Sequence, residues 1–205
     1  TSFDQLGADM EGVAASDFFG WSTAMSDDGT ILAVGSRSHD SSRGHVRVFQ
    51  WDGTTWNQLG ADIDGEAEGD SFGERIALSS TGLTLAVGAP GNDGTGTNAG
   101  HVRVFGFSGG NWNQLGSDID AEAAYDNFGQ SVALSATGDR VVVGATGNDT
   151  TALNAGQVRV FDLMMGEWLQ AGPDINGAAE GDDFGRSVDI SDDGSRIVVG
   201  AKWTD

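Results

Sequence analysis

The sequence predicts an all-β protein, a β-propeller of four-stranded antiparallel blades with about 56 residues to the repeat. Three observations predict it. Phe19-Gly20, Phe72-Gly73, Phe128-Gly129 and Phe184-Gly185 recur at intervals of 53, 56 and 56 residues. Each pair is followed by short apolar and β-branched runs separated by turn residues, and no stretch keeps a helical period. Glycine supplies 33 of the 205 residues, more than twice its usual ~7% share, and turns need it.

Within one repeat the strands take the names A to D in chain order. Strand A follows Phe-Gly, as in Ser131-Val132-Ala133-Leu134. A tight turn comes next: Asp27-Asp28-Gly29, Ser80-Thr81-Gly82, Ala136-Thr137-Gly138 or Asp192-Asp193-Gly194. Strand B is the β-branched run ending in Val-Gly: Ile31–Gly35, Leu85–Gly88, Val141–Gly144 and Ile197–Gly200. A glycine- and asparagine-rich loop leads to strand C, Val46–Phe49, Val102–Phe105 or Val158–Phe161. Strand D carries Trp56, Trp112 or Trp168 and runs into Gln58-Leu59-Gly60 or Gln114-Leu115-Gly116. The first interval is short because the loop Ser36–Arg43 is short, and length changes in a repeat array belong in loops.

This reading divides the chain into an outer strand over 1–12, blades over 13–65, 66–121 and 122–177, and a partial blade over 178–205. Phe3–Asp9 matches Trp56–Asp62, so the chain enters on a D strand, and it stops just past a B strand. The expectation is a piece of a longer propeller, completed by more of the same chain or by another subunit. A four-bladed ring is the alternative.

Composition excludes several function classes. With 31 acidic and 10 basic residues the net charge is −21, which repels nucleic-acid phosphates and anionic membrane surfaces alike. The absence of cysteine removes disulfides, thiolate zinc sites and cysteine nucleophiles. No apolar run approaches the roughly 20 residues of a membrane span. No phosphate-cradling glycine loop occurs.

The motifs carry a family resemblance. Phe-Gly followed by a strand ending Val87-Gly88-Ala89-Pro90 resembles the FG-GAP repeat of integrin α-subunit propellers. The wording from Trp56 to Ala67, Trp-Asn-Gln-Leu-Gly-Ala-Asp-Ile-Asp-Gly-Glu-Ala, is similar to secreted FG-GAP-like arrays of marine algae and bacteria. The resemblance covers essentially the whole chain. It implies a secreted or cell-surface location, with an organelle lumen as the alternative, and an adhesive, matrix or assembly role. Integrin-type repeats often hold calcium in a D-x-D-x-D-G loop between strands A and B. Ser79–Gly82 and Ser135–Gly138 have too few carboxylates for that, so those metal sites do not carry over.

Antiparallel order puts the B–C loops and the D–A connections on one face of every blade. Of the 31 acids, 16 lie in the D–A connections and 3 in the B–C loops. This acidic face is the candidate partner-binding surface, with Asp62, Asp64, Glu66, Glu68, Asp70, Asn92, Asp93, Asp118, Asp120, Glu122, Asp126, Asn148 and Asp149 as its residues. Ca²⁺ is the candidate cofactor, because it takes six to eight oxygen ligands. Its candidate ligands are Asp64, Glu66, Glu68 and Asp70, with Asp120, Glu122 and Asp126 one repeat on. A solvated, solubilising surface explains the same charge.

The other candidates are weaker. His45 and His101 are equivalent, but Gln157 takes their place in the third repeat. Arg47, Arg103 and Arg159 recur in the C strands and read as partners of blade carboxylates. Trp56, Trp112 and Trp168 read as wedges between blades, while the unrepeated Trp21, Trp51 and Trp203 are candidates for stacking on a sugar. The functional expectation is a non-catalytic, secreted or surface propeller that binds a protein or glycan partner. A lectin-like carbohydrate-binding module is the first alternative, and a propeller hydrolase or lyase the second.

Overall fold

A computed structural model describes residues 4–203. Seventeen strands account for nearly all the regular structure in them. The first sheet holds β1 (Ser22–Met25), β2 (Ile31–Ser36), β3 (His45–Trp51), β4 (Trp56–Gln58) and β5 (Ile63–Asp64). The second holds β6 (Arg75–Leu78), β7 (Thr84–Ala89), β8 (His101–Ser108), β9 (Asn111–Gln114) and β10 (Ile119–Asp120). The third holds β11 (Phe128–Leu134), β12 (Arg140–Ala145), β13 (Gln157–Met164), β14 (Glu167–Gln170) and β15 (Ile175–Asn176). A fourth sheet contains only β16 (Ser187–Ile190) and β17 (Ile197–Gly200). Every pairing within a sheet is antiparallel and follows the A-B-C-D order.

The expected D–A connection differs in containing a second short strand beside the D strand. β4 and β5 both pair with β3, the first through Phe49–Trp51 and the second through His45 and Val46. Between them the chain leaves the sheet at Gly60, whose φ of 81° lies in the left-handed region that only glycine enters freely. Gly116 and Gly172 repeat the device at 71° and 87°.

The expected outer strand at Thr1–Asp9 is a second difference. Residues 4–9 form no strand, and the rest of that segment lies outside the described residues. A D strand is held by the ladder of its own C strand, and no C strand precedes residue 4 in the described chain. The segment still makes the contact between blades. Trp56 donates its indole N–H to the Leu6 carbonyl at 3.2 Å, as Trp112 and Trp168 donate to Leu59 and Leu115 at 2.8 Å.

The core lies between the blades. Strand B has a blade on either side, so β7 buries Leu85, Ala86, Val87 and Ala89 on both of its faces. One apolar cluster joins Ile31, Val46, Val48 and Ile63 of the first sheet to Phe72, Ile76, Leu85, Val87 and Phe105 of the next blade. Equivalent clusters follow around Phe128 and Phe161 and around Val142, Val158 and Ile190. The repeated Phe-Gly is a hinge between blades. Phe72 is fully buried against Phe105 with ring centroids 6.2 Å apart, and its amide donates to the Arg43 carbonyl of the preceding blade at 3.1 Å.

Candidate functional site

Four buried aspartates build the loop face. Each stands two residues before a Phe-Gly glycine's phenylalanine and accepts the amide three residues back: Ala14 to Asp17, Ala67 to Asp70, Ala123 to Asp126 and Ala179 to Asp182, at 2.9–3.1 Å. The same carboxylate oxygen then ties the B–C loop to the D–A connection. Asn92 donates to Asp70 at 3.2 Å and Asn148 to Asp126 at 3.3 Å, while His39 Nδ1 lies 2.9 Å from Asp17. Burial pushes the Asp126 carboxyl above its ordinary range. Asn92 and Asn148 also accept amides of their own loops, and so do Asp93 and Asp149 from Asn98 and Asn154 at 2.8 and 2.7 Å. Six of the candidate face residues therefore shape the loops from within.

The remaining carboxylates go to different partners. Asp62 accepts Gln58 at 2.6 Å and sits 3.7 Å from Arg47; Asp118 repeats this with Gln114 and Arg103. Glu66 lies 3.9 Å from Arg103 and Glu122 lies 3.7 Å from Arg159. Asp64, Glu68 and Asp120 are exposed. Desolvation, helped by Asp118, raises the Asp120 carboxyl above its usual range. The run from Asp62 to Asp70 thus does not converge on one point, and it forms no oxygen shell of the kind Ca²⁺ requires. Among the described residues, the groups able to surround a single ion each contain histidine: His39 with His45 and Asp64, and His101 with Glu66 and Asp118.

Nor do the A–B turns offer a calcium loop. Asp28 accepts the Ser26 hydroxyl and both the amide and hydroxyl of Thr30 at 2.7–2.9 Å, so its turn is closed on itself. Asp193 does the same with Ser191 and Ser195, which holds its carboxyl down at about 2.

The recurring arginines act between blades. Arg103 lies 5.6 Å from the Phe72 ring and 5.0 Å from the Phe105 ring, and donates to Gln114 at 3.0 Å and to the Asp64 carbonyl at 3.2 Å. Arg47 and Arg159 repeat the arrangement. Their expected carboxylate partners are present, but at 3.7–3.9 Å they are the looser contacts.

A recess opens among the starts of the A strands. It has a volume of about 370 Å³, and its lining includes Trp21, Arg37, Glu74, Asn98, Gln130 and Arg186. Trp21, Glu74, Gln130 and Arg186 are the residues that directly follow each Phe-Gly. The Arg37 guanidinium sits 4.0 Å over the Trp21 ring and bonds Glu74 at 2.7 Å, and its Nε has no protein partner. Of this set only Trp21 was legible as a candidate from the sequence. The available signal was the position after Phe-Gly, where a strict repeat carries four different side chains.

Four successive antiparallel sheets, packed A strand to A strand and B strand against the neighbouring blade, make this a β-propeller-type repeat protein. The FG-GAP repeat model matches residues 61–105, 120–161 and 176–205, and the chain belongs to that family. No curated protein matches it. Among solved structures it is similar to a protein provisionally assigned as a 6-phosphogluconolactonase, from Bacteroides uniformis. The TM-score is 0.58 at 15% identity, over 87% of this chain and 46% of that one, so this chain spans about half the neighbour's length. That likeness concerns the fold alone.

Proposed function

We propose that this chain is a non-catalytic interaction propeller of an extracellular or cell-surface setting, binding a protein partner through the loop face and its recess. The observation that carries the reading is the recess: a strict repeat brings four unlike side chains, Trp21, Glu74, Gln130 and Arg186, to equivalent places around one opening. Duplication alone gives like residues, so the variety marks a surface shaped for one partner. The exposed acids Asp64, Glu66, Glu68, Asp120 and Glu122 of the loop face favour a partner with a basic face. A glycan ligand is the second reading, favoured by Trp21, which is 44% exposed beside a charged pair able to bind hydroxyls. A hydrolase or lyase has less support, because Glu74, the one carboxylate among the residues lining the recess, is held between Arg37 and Arg75.

The test compares fluorescence anisotropy with lysine-rich peptides against a glycan array. Peptide binding that weakens with salt and with Glu66→Gln, Glu68→Gln and Glu122→Gln together supports the protein reading. Glycan binding lost in Trp21→Ala moves the assignment to a lectin. Silence in both assays overturns the interaction reading.

A further inference from the structure

The first blade departs from both sister blades at one position, where a histidine replaces an asparagine, and shares a second histidine with blade two alone. Blades two and three tie the B–C loop to the buried aspartate with Asn92 and Asn148; the first blade uses His39. At the start of strand C the first two blades have His45 and His101, and the third has Gln157. Only the first blade has both histidines. Their rings face each other with centroids 4.0 Å apart and planes inclined by 34°.

Asp64 completes the group from the neighbouring strand, since β5 sets it directly opposite His45. One donor atom from each of His39, His45 and Asp64 lies within 4.8 Å of the other two. His45 is completely buried, yet neither ring nitrogen has a hydrogen-bond partner. An unpaired polar group in that position costs free energy unless something outside the protein satisfies it. His39 is already oriented: Nδ1 faces the Asp17 carboxylate at 2.9 Å, itself pinned by the Ala14 amide, which leaves Nε2 as the donor. A carboxylate behind a ligating imidazole is the support that metal-binding histidines usually have.

From this geometry we propose that His39, His45 and Asp64 form a binding site for Zn²⁺ or a similar borderline divalent cation. Two imidazoles and a carboxylate are the ligand set of such ions rather than of calcium. Asp64 is exposed and His39 partly so, which leaves the fourth position for water or for a ligand from outside. The ion would clip the B–C loop, strand C and the end of strand D of this blade together. The group around His101 lacks this character. Arg103 stands 3.9 Å from Glu66 and 3.7 Å from Asp118, a resident cation where the metal would have to sit, whereas no ion pair among the described residues engages the Asp64 carboxylate.

The site shares only Asp64 with the interaction surface proposed above, and its test reads the metal directly. The full chain is stripped with chelator, dialysed against limiting Zn²⁺ and assayed for bound metal, with Co²⁺ as a visible stand-in whose absorption reports coordination number. The informative variants are His39→Asn and His45→Gln, because sister blades fold with those residues in the equivalent places. We expect one Zn²⁺ per chain and a melting temperature raised by Zn²⁺ but not by equal Ca²⁺. Each variant, and Asp64→Asn, should weaken Zn²⁺ binding more than tenfold with an unchanged far-UV spectrum. His101→Gln should leave it intact. Failure of the parent chain to retain Zn²⁺, or equal retention by the His39→Asn, His45→Gln double variant, overturns the site.

Discussion

Asp126 shows how one residue can look like a ligand and serve as a frame. Its carboxylate is almost wholly buried, and a single oxygen accepts both the Ala123 amide and the Asn148 side chain. Burial raises its pKa, so its sign is the reverse of the usual aspartate. The stabilising contribution is complete below the unfolded-state value and is lost as pH rises through the higher folded value. Asparagine offers the same carbonyl acceptor without the charge. Asp126→Asn should therefore melt no lower than the parent at pH 7, with any advantage disappearing towards pH 3. Asp126→Ala, which removes the acceptor, should melt lower at both. A lower melting temperature for Asp126→Asn at pH 7 would show that the loop needs the charge itself. The sequence displayed the acids but not their partners. Asp64 and Asp70 are six residues apart and read alike, yet one faces a histidine on an adjacent strand and the other an asparagine 22 residues away. Such pairings are set by register and loop path.

At the scale of the element, most of the blade was legible, because β-branched runs, hairpin glycines and a fixed repeat all point to the same strands. The short strand after strand D was not. Leu59 still donates to Val48 at 2.7 Å, but beyond Gly60 the sequence reads as connection, and only the pairing of Ile63 and Asp64 with β3 reveals a second short strand there. The Val-Gly ending of strand B was visible as a pattern without its reason. A methyl group at Gly88 would overlap the Gly129 carbonyl of the next blade; Gly35 stands in the same relation to Gly73, and Gly144 to Gly185. Both sides of this contact are backbone, so neither can swing away. Gly88→Ala should cost about 1–3 kcal/mol, the usual range for overpacking a tight interior. Urea unfolding measures it, and a loss below a few tenths would mean that the blades can separate slightly without penalty.

For the molecule as a whole, the last sheet has the clearest consequence. β17 pairs with β16 on one side and with nothing on the other among the described residues, and Val198 on it is 66% exposed. Unpaired edges with apolar side chains recruit other strands. The chain of 205 residues should therefore associate as its concentration rises, seen as a growing mass in light scattering. Val198→Lys should suppress this while leaving the melting temperature nearly unchanged. Association that survives the lysine must use another surface.

The glycine contacts between blades bear on how such a molecule can change over generations. Because the closest approach at the joint is a glycine against a main-chain carbonyl, that approach stays the same whichever side chains a copied blade brings, provided both glycines are kept. A duplicated blade can take its place at the same angular step without a matching change in its neighbour. The loops meanwhile lie away from the joint and are free to drift. A histidine can then replace an asparagine in one blade's B–C loop while the joint stays as it was copied.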